Sequence, residues 1–343
     1  MAGLAALLLG TLAWGIKTLP AERWQMIAAV PVTKNGNGAW RGLNLTFYGF
    51  FSATATVFGI ALTIVLLASV GTPLLGAAAV IATMMTISVP ASKLVARVIE
   101  GKRNTFTIAG AAFVASLILP PGLLLAQRAL ARGFDATLYV MPLLAAAAIA
   151  YALSEAIGRM ACLSFGCCYG KPLRQTSPWL ARLFGRFHAE FYGNTKRAAY
   201  ASGLAGEPLI PVQAITSVVF SASGLVGLGF FLAGHWRLAG MVPALATWGW
   251  RAVSESLRAD HRGESRMSAY QIMALISMVY LIVMLTVLPS DGPAPNLAAG
   301  LAQVTSAGVI VLLQVLWVGL FLYYGRSRVT ASVLWFHVVP DRI

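Results

Sequence analysis

Charged residues are scarce in this sequence, and their scarcity excludes most classes of protein. Only 10% of the 343 residues are Asp, Glu, Lys or Arg, whereas 58% are apolar. A soluble domain has about 25% charged residues. Several apolar runs reach about 20 residues, the length that crosses the hydrocarbon core of a bilayer, and none shows the period-two alternation of outer-membrane strands. The composition therefore predicts an all-α fold, a polytopic transmembrane helical bundle with a small extramembrane cap.

Cysteine is also rare. The three cysteines, Cys162, Cys167 and Cys168, are an odd number and contain no C-x-x-C pair. Neither a disulfide framework nor a zinc site is predicted from this pattern. The side chains are expected to pack as small apolar groups, with a lipid-accepting or redox thiol as the alternative. No metal and no organic cofactor is expected.

Acidic residues are outnumbered by basic ones, 11 against 25, which gives a net charge of +14. The basic residues lie in loops between the apolar runs and form neither a basic tail nor an RNA-binding motif. Anionic membrane lipid, rather than nucleic acid, is therefore the expected partner. Nearly all of them fall in loops of one parity, a face that the positive-inside rule alone would place in the cytoplasm.

The apolar runs divide the chain. The predicted spans are 46–69, 70–89, 105–125, 138–157, 211–233, 238–253, 268–288 and 303–324. The 238–253 run is short, and Trp248 and Trp250 near its end are typical of an interfacial anchor. Residues 2–16 are too few for a confident span and lack the features of a signal peptide, so they are expected to form an extra helix or anchor.

Five regions are predicted from these spans. They are an apolar extension and loop (1–45), helices one to four (46–157), a cap (158–210), helices five to seven (211–290), and an extra helix with a tail (291–343). Within the first region, the sequence Lys34-Asn35-Gly36-Asn37-Gly38 predicts a turn.

Two arginine-containing motifs stand next to apolar runs. The first begins at Gly158-Arg159 and continues through Gly166 to Gly170-Lys171-Pro172. The second runs from Trp250-Arg251 to Arg262-Gly263. An arginine at the edge of the hydrocarbon is costly without an anionic partner, and lipid phosphate is the most accessible one. Breaking a glycerol C–O bond beside phosphate needs the departing phosphate stabilised, and two planar guanidiniums suit that role better than lysines.

Together these motifs resemble the prolipoprotein diacylglyceryl transferases over about residues 45–290. The family signature G-R-x-G-N-F-x-N-G-E-x-x-G-x-P is matched at Gly158, Arg159, Gly166, Gly170 and Pro172. The later block is matched at Arg251, Glu255, Arg258, Asp260, Arg262 and Gly263, followed by Ser268 and Gln271. Further matches are Tyr48-Gly49, Pro211 and Gln213.

The sequence also departs from the family. Its H-G-G histidine has no counterpart near Ile108-Ala109-Gly110-Ala111, and the two signature asparagines are replaced by Cys162 and Phe165. The signature glutamate is replaced by Cys167. The resemblance therefore supports binding of a lipid headgroup more strongly than alkylation of a thiol.

The resemblance implies a multi-pass enzyme of the bacterial inner membrane. Such an enzyme transfers diacylglyceryl from phosphatidylglycerol to the lipobox cysteine of a prolipoprotein signal peptide and releases glycerol phosphate. It implies catalytic roles for Arg159, Arg251, Glu255 and Tyr48, and substrate binding by Gly158, Gly166, Gly170, Arg258, Arg262 and Gln213. Glu255 is expected to orient Arg251 by an i,i+4 contact, and the glycines to let the backbone approach the lipid. The family places the cap in the periplasm, against the charge rule.

Two alternatives remain open from the sequence. One is a divergent glycerol-lipid transferase whose acceptor is not a protein, and the other is a non-catalytic membrane subunit that binds lipid. Arg159 and Arg251 could also be snorkelling arginines that anchor helix ends.

Two geometric predictions follow from the two arginine-containing motifs. Arg159 and Arg251 lie within reach of one phosphate. Residues 158–210 and 254–267 lie on the same side of the membrane.

Overall fold

The structure, a computed structural model, describes residues 2–34, 36, 40–100, 107–133, 138–193, 195–259, 267–327 and 333–334. These residues are mostly helical. The α-helices in them are α1 (Ala2–Thr18), α2 (Phe47–Ser69), α3 (Leu74–Glu100), α4 (Ile108–Gly133), α5 (Val140–Phe165), α6 (Pro178–Phe184), α7 (Arg197–Ser202), α8 (Val212–Leu232), α9 (Trp236–Leu257), α10 (Ala269–Val287), α11 (Leu297–Val304) and α12 (Ala307–Gly325).

The prediction of a transmembrane helical bundle is confirmed. Seven of the described helices are long and apolar enough to cross a membrane, namely α2, α3, α4, α5, α8, α10 and α12. A chain with this many apolar helices is a multi-pass membrane protein. Residues 2–16, expected to form an extra helix, lie in α1, which at 17 residues is shorter than a typical span.

Helix α5 is the centre of the bundle. Residues along its whole length are buried, among them Met141, Ile149, Leu153 and Met160. Helices α2, α8 and α9 pack directly against α5, α10 packs against α9 and α4, and α12 packs against the outer side of α2. Because α5 is surrounded by other helices, polar groups on it meet protein rather than lipid.

Helix α9 is the one predicted span that is not apolar enough to count as a membrane-crossing helix by composition. It is nevertheless 22 residues long and packs between α8, α5 and α10. The expectation of an interfacial tryptophan anchor is wrong for Trp248, which is only 4% exposed. Trp250 donates from its indole N–H to Thr216 Oγ1 at 2.8 Å, so it also serves contacts inside the bundle.

Several helix boundaries differ from the predicted spans. The second apolar helix begins at Leu74 rather than at 70, because a turn at Gly71 with φ +79° follows α2. Helix α5 continues past 157 to Phe165 and ends where Gly166 takes the left-handed conformation, φ +70°. Gly158 and Arg159 therefore lie on the transmembrane helix, and the extramembrane cap starts at Gly166.

A β-hairpin follows α1, although the sequence predicted only a loop there. Strand β1 (Met26–Lys34) pairs antiparallel with β2 (Trp40–Thr46), and the predicted turn falls between them, with Gly36 its one described residue between the strands. Two short strands of the tail, β3 (Arg326–Ser327) and β4 (Val333–Leu334), pair with β2. The predicted extension and the predicted tail thus form one small sheet.

The cap is connected to the end of α9 through backbone hydrogen bonds. Lys171 N donates to Leu257 O at 2.9 Å, and Ala259 N donates to Tyr169 O at 3.1 Å. The start of the cap and the described residues that follow α9 therefore lie at the same end of the bundle, here called the cap end. The contacts agree with the predicted arrangement for residues 166–259, and the side of the membrane stays a prediction.

Candidate active site

Arg159 and Arg251 meet at one carboxylate, that of Glu155. Arg159 donates from Nη2 to Glu155 Oε1, one helical turn away on α5. Arg251, on α9, donates from its own Nη2 to the same oxygen at 3.3 Å. The side chains are 11% exposed for Arg159, 12% for Arg251 and 7% for Glu155. The two arginines converge as predicted, although they lie on different helices.

Aromatic rings surround the Arg251 guanidinium. Its carbon lies 5.7 Å from the centre of the Tyr151 ring, 5.8 Å from that of Phe220 and 5.8 Å from that of Trp248. Arg251 also donates a hydrogen bond to the Tyr151 hydroxyl. A planar guanidinium is stabilised by such rings, so these contacts fix its position.

Each arginine keeps one buried donor without a partner among the described residues. The Nε–H groups of Arg159 and Arg251 are both buried, and neither donates to an acceptor among the described residues. Leaving a buried charged donor unsatisfied is costly, and such groups call for an explanation. These two donors are the groups of the cluster that a bound anion would satisfy.

The charges of the cluster leave room for one anion. Arg159, Arg251 and Glu155 together carry +1, whereas Arg258 and Glu255 form a second pair with Arg258 Nη1 3.4 Å from Glu255 Oε1. This pair adds no net charge. A phosphodiester, which carries −1, would make the whole cluster neutral, and neutral clusters are much less costly at membrane depth than charged ones.

Glu255 does not take the place that was predicted for it. The acidic residue that binds Arg251 in the structure is Glu155, from α5, while Glu255 accepts from Arg258. The physical reason is that Arg251 points across the α5–α9 interface, where Glu155 is already held by Arg159. Arg258 is near enough to Arg159 for the two charges to repel each other. Arg262 lies outside the described residues.

The glycines of the first motif lie against other parts of the protein, and their expected role in letting the backbone approach a lipid stays a prediction. A Cβ at Gly170 would collide with the backbone carbonyl of Ile210, and Gly170 also pairs with Arg258 in an isolated bridge. A Cβ at Gly166 would come within 3.1 Å of Lys196 Cβ. At Gly158 a Cβ would make an ordinary 3.7 Å contact with Ala55 of α2.

Gln213 and Tyr48 lie beside the cluster with different neighbours. Gln213 is 1% exposed and donates from Nε2 to Cys167 O at 2.7 Å, so it holds the loop that follows α5. The Tyr48 ring packs edge-on against Phe165, with the ring centres 5.5 Å apart. Its phenol lies within electrostatic range of Glu155 and the three cysteines. Tyr48 therefore borders the site.

The three cysteines come together at the end of α5. Their Sγ atoms all lie within 4.8 Å of one another, and Cys162 and Cys168 are 4.0 Å apart. Arg159 Nη1 is 3.9 Å from Cys162 Sγ. Hydrogen bonds from the Cys162 and Cys167 thiols, with the nearby Arg258 and Arg159 charges, hold the pKa of Cys168 well below its usual range. This convergence goes beyond the separate packing roles that the sequence suggested.

Lys196 is a buried lysine in the cap that the sequence did not single out. It is fully buried, and its Nζ donates to Leu19 O at 2.9 Å and to Ser164 O at 2.5 Å. Desolvation by burial lowers its pKa to about 7, and Glu22 opposes this shift. The side chain joins the end of α1 to the end of α5 directly beneath the site.

Glu155 and Tyr151 are the site residues that the sequence reasoning missed. Tyr151, Glu155 and Arg159 are spaced four residues apart on α5, so they lie along one face of that helix. The signal was present, because an acidic residue inside an apolar run is rare and usually has a functional partner. Arg159, four residues later, was that partner.

No protein-family model, no curated protein and no solved structure matches this chain.

Proposed function

We propose that this protein is a membrane transferase that moves a diacylglyceryl group from phosphatidylglycerol to an acceptor and releases glycerol phosphate. The observation that carries the proposal is the convergence of Arg159 and Arg251 on Glu155 Oε1, with a buried unpartnered Nε–H on each arginine. Two snorkelling arginines that only anchored helix ends would point to the membrane surface. The side chains of Arg159 and Arg251 instead point into the bundle, toward the same Glu155 oxygen.

The chemistry follows from where charge develops. The acceptor nucleophile releases its proton to solvent and attacks the glycerol carbon of the diacylglyceryl group, and the C–O bond to phosphate breaks. The bonding electrons leave with the phosphate, which changes from a phosphodiester monoanion to a phosphomonoester dianion. Guanidiniums fixed beside those oxygens stabilise the transition state more than the ground state, because the second charge appears only as the bond breaks.

Glu155 has two roles in this mechanism. It holds Arg159 and Arg251 in place when lipid is absent, and it keeps the net charge of the three groups at +1. When a phosphodiester binds, the Nε–H donors supply new hydrogen bonds without either arginine leaving the carboxylate. The site is therefore preorganised, which is the condition under which electrostatic stabilisation contributes most to rate.

The resemblance to prolipoprotein diacylglyceryl transferases suggests the acceptor and the membrane. On that basis the acceptor is a lipobox cysteine, the membrane is the bacterial inner membrane, and the cap faces the periplasm. Tyr48, to which the resemblance gives a catalytic role, borders the cluster. No cofactor enters the reaction.

The test uses the purified full chain in detergent with phosphatidylglycerol labelled in its headgroup and a lipobox peptide. Release of labelled glycerol phosphate together with lipidation of the peptide is expected. Release without lipidation would assign the transfer to a small polar or lipid acceptor. If neither product forms, the protein binds lipid without transferring it and the proposal is overturned. A matched control is Arg182→Ala, in an exposed position on α6, which should behave as the unaltered protein.

A further inference from the structure

The three cysteines form a constellation that lipid transfer does not use. Cys162 lies in the last turn of α5, and Cys167 and Cys168 follow the helix end. Their sulfur atoms lie within 4.8 Å of one another. These are the only cysteines in the 343-residue sequence, so every thiol in the protein has been brought to one place.

The backbone is shaped to bring these sulfurs together. Gly166 ends the helix in the left-handed conformation, and Cys167 N then donates back to Cys162 O at 3.1 Å. Cys168 itself has φ +57°, the one left-handed residue other than glycine among those the structure describes. Such a conformation is unfavourable for a residue with a Cβ and persists where its surroundings require it. Here it turns the third sulfur back toward the first.

The spacing of the sulfurs fits a three-coordinate metal. A metal–thiolate bond is about 2.3 Å, so three sulfurs in a plane around one ion lie about 4.0 Å apart by simple trigonal geometry. Cys162 and Cys168 are separated by 4.0 Å. The third sulfur lies within 4.8 Å of both, close to the same separation.

The donor set selects a soft ion. Three thiolates favour soft metals, and among the described residues no fourth His, Cys, Asp or Glu side chain joins the cluster. Zinc in structural sites is almost always four-coordinate, so a zinc ion here would lack its fourth ligand. Monovalent copper, by contrast, is stable with three sulfur ligands. We propose that Cys162, Cys167 and Cys168 form a trigonal thiolate site for a single monovalent copper ion.

The surrounding charges suit this assignment. Three thiolates and one Cu(I) carry −2, which is costly in a buried position unless cations stand close by. Arg159 lies 3.9 Å from Cys162 Sγ through Nη1, and Arg258 acts electrostatically on Cys168. Both guanidiniums also pair with carboxylates, Arg159 with Glu155 and Arg258 with Glu255, so they offset part of the −2 charge. Cys162 and Cys167 are buried, while Cys168 is half-buried. An ion would therefore enter the site from the side of Cys168.

Binding is a simple exchange of protons for metal. Each thiol that binds loses its proton to solvent, and the copper keeps its oxidation state throughout, so no electron acceptor is needed. The site shares Arg159 with the phosphate cluster but does not depend on lipid transfer. A protein inactive toward phosphatidylglycerol would still bind copper if this assignment is right.

The proposal is tested by anaerobic titration of the purified full chain with Cu(I) against a colorimetric copper chelator. One equivalent should bind, with a near-ultraviolet sulfur-to-copper absorption and loss of all three thiols to a thiol reagent. X-ray absorption should count three sulfurs at about 2.3 Å. Replacing any one cysteine by Ser should weaken binding at least tenfold, whereas Ser256→Ala, at an exposed position of α9, should change nothing.

Three results would overturn it. They are binding that survives in the Cys162→Ser, Cys167→Ser, Cys168→Ser triple variant, a sulfur count below three in the unaltered protein, and a higher affinity for Zn(II) than for Cu(I). The sulfur count needs no variant, so the test does not depend on whether the cysteine variants fold.

Discussion

Replacing Arg251 with lysine is the sharpest test of the phosphate site, because it keeps the charge and changes only the shape. In the structure the guanidinium donates to both Tyr151 and Glu155 and lies among three aromatic rings. A lysine ammonium can replace one of these hydrogen bonds. It cannot supply the unpartnered Nε–H, and its compact charge loses the stacking of a planar group.

The magnitude can be estimated from the one donor lost at the transition state. Removing a single preorganised oxyanion donor typically lowers kcat by about 10²–10³, or about 2.7–4 kcal/mol. Arg251→Lys should therefore lower kcat for glycerol phosphate release by two to three orders of magnitude. KM should change much less, because the second negative charge that the donor stabilises is absent from the bound substrate. Arg159→Lys should show the same pattern for the same reason.

The assay is release of headgroup label from phosphatidylglycerol in detergent micelles, with rate measured against lipid concentration. Arg182→Lys is the matched control, since it makes the same chemical change at an exposed position. Thermal unfolding of each variant separates a lost donor from a lost fold. Full activity in either site variant would refute the mechanism, and a rise in KM with kcat unchanged would show that the arginines bind lipid without stabilising the transition state.

Three further predictions concern stability, measured by thermal unfolding in detergent. Glu155→Gln leaves two guanidiniums without their shared carboxylate, so it should destabilise the fold by about 3–5 kcal/mol, and an unfolding temperature equal to that of the unaltered protein would contradict this charge arrangement. Lys196 has a pKa of about 7 in the folded chain against 10.5 ordinarily; between these values only the unfolded chain holds the proton, so stability should rise with pH from about 7. Lys196→Met should lack that rise, and an unchanged pH slope would show that the buried lysine is not its source. Gly170→Ala should destabilise the cap strongly because its Cβ meets the Ile210 carbonyl, whereas Gly203→Ala, with open space around it but φ +63°, should cost only about 1 kcal/mol.

The transmembrane helices were predictable because hydrophobic length alone decides whether a segment crosses a bilayer. Helix α9 shows the limit of that rule, since it has the length of a span while carrying Arg251, Glu255 and a proline at 243. Its burial against α5, α8 and α10 replaces lipid with protein on most sides. The hydropathy of a segment reports whether its side chains favour lipid or water. It does not report which other helices will bury the segment.

The hairpin and the cysteine cluster were not predictable for two different reasons. The β1 strand carries Val30, Val32 and Thr33 and precedes an Asn-Gly sequence, which is a hairpin signal. However, β2 also pairs with the tail strands from the far end of the chain, and no local pattern indicates that pairing. The cysteines form a cluster only because α5 stops at Gly166 and Cys168 turns left-handed. Neither event can be read from cysteine spacing. Glu155 was readable, and the convergence of Arg159 and Arg251 was anticipated from their chemistry.

The cap is joined to α9 by main-chain hydrogen bonds at Lys171 and Ala259, and this kind of joint has an evolutionary consequence. Main-chain pairing specifies the path of the backbone but places little demand on the identity of the side chains. Substitutions across the exposed parts of the cap, such as Trp179 and Phe187, therefore leave the position of Arg251 undisturbed. Under the proposed function, the cap surface that would meet the acceptor is therefore free to change while Arg159 and Arg251 keep their positions.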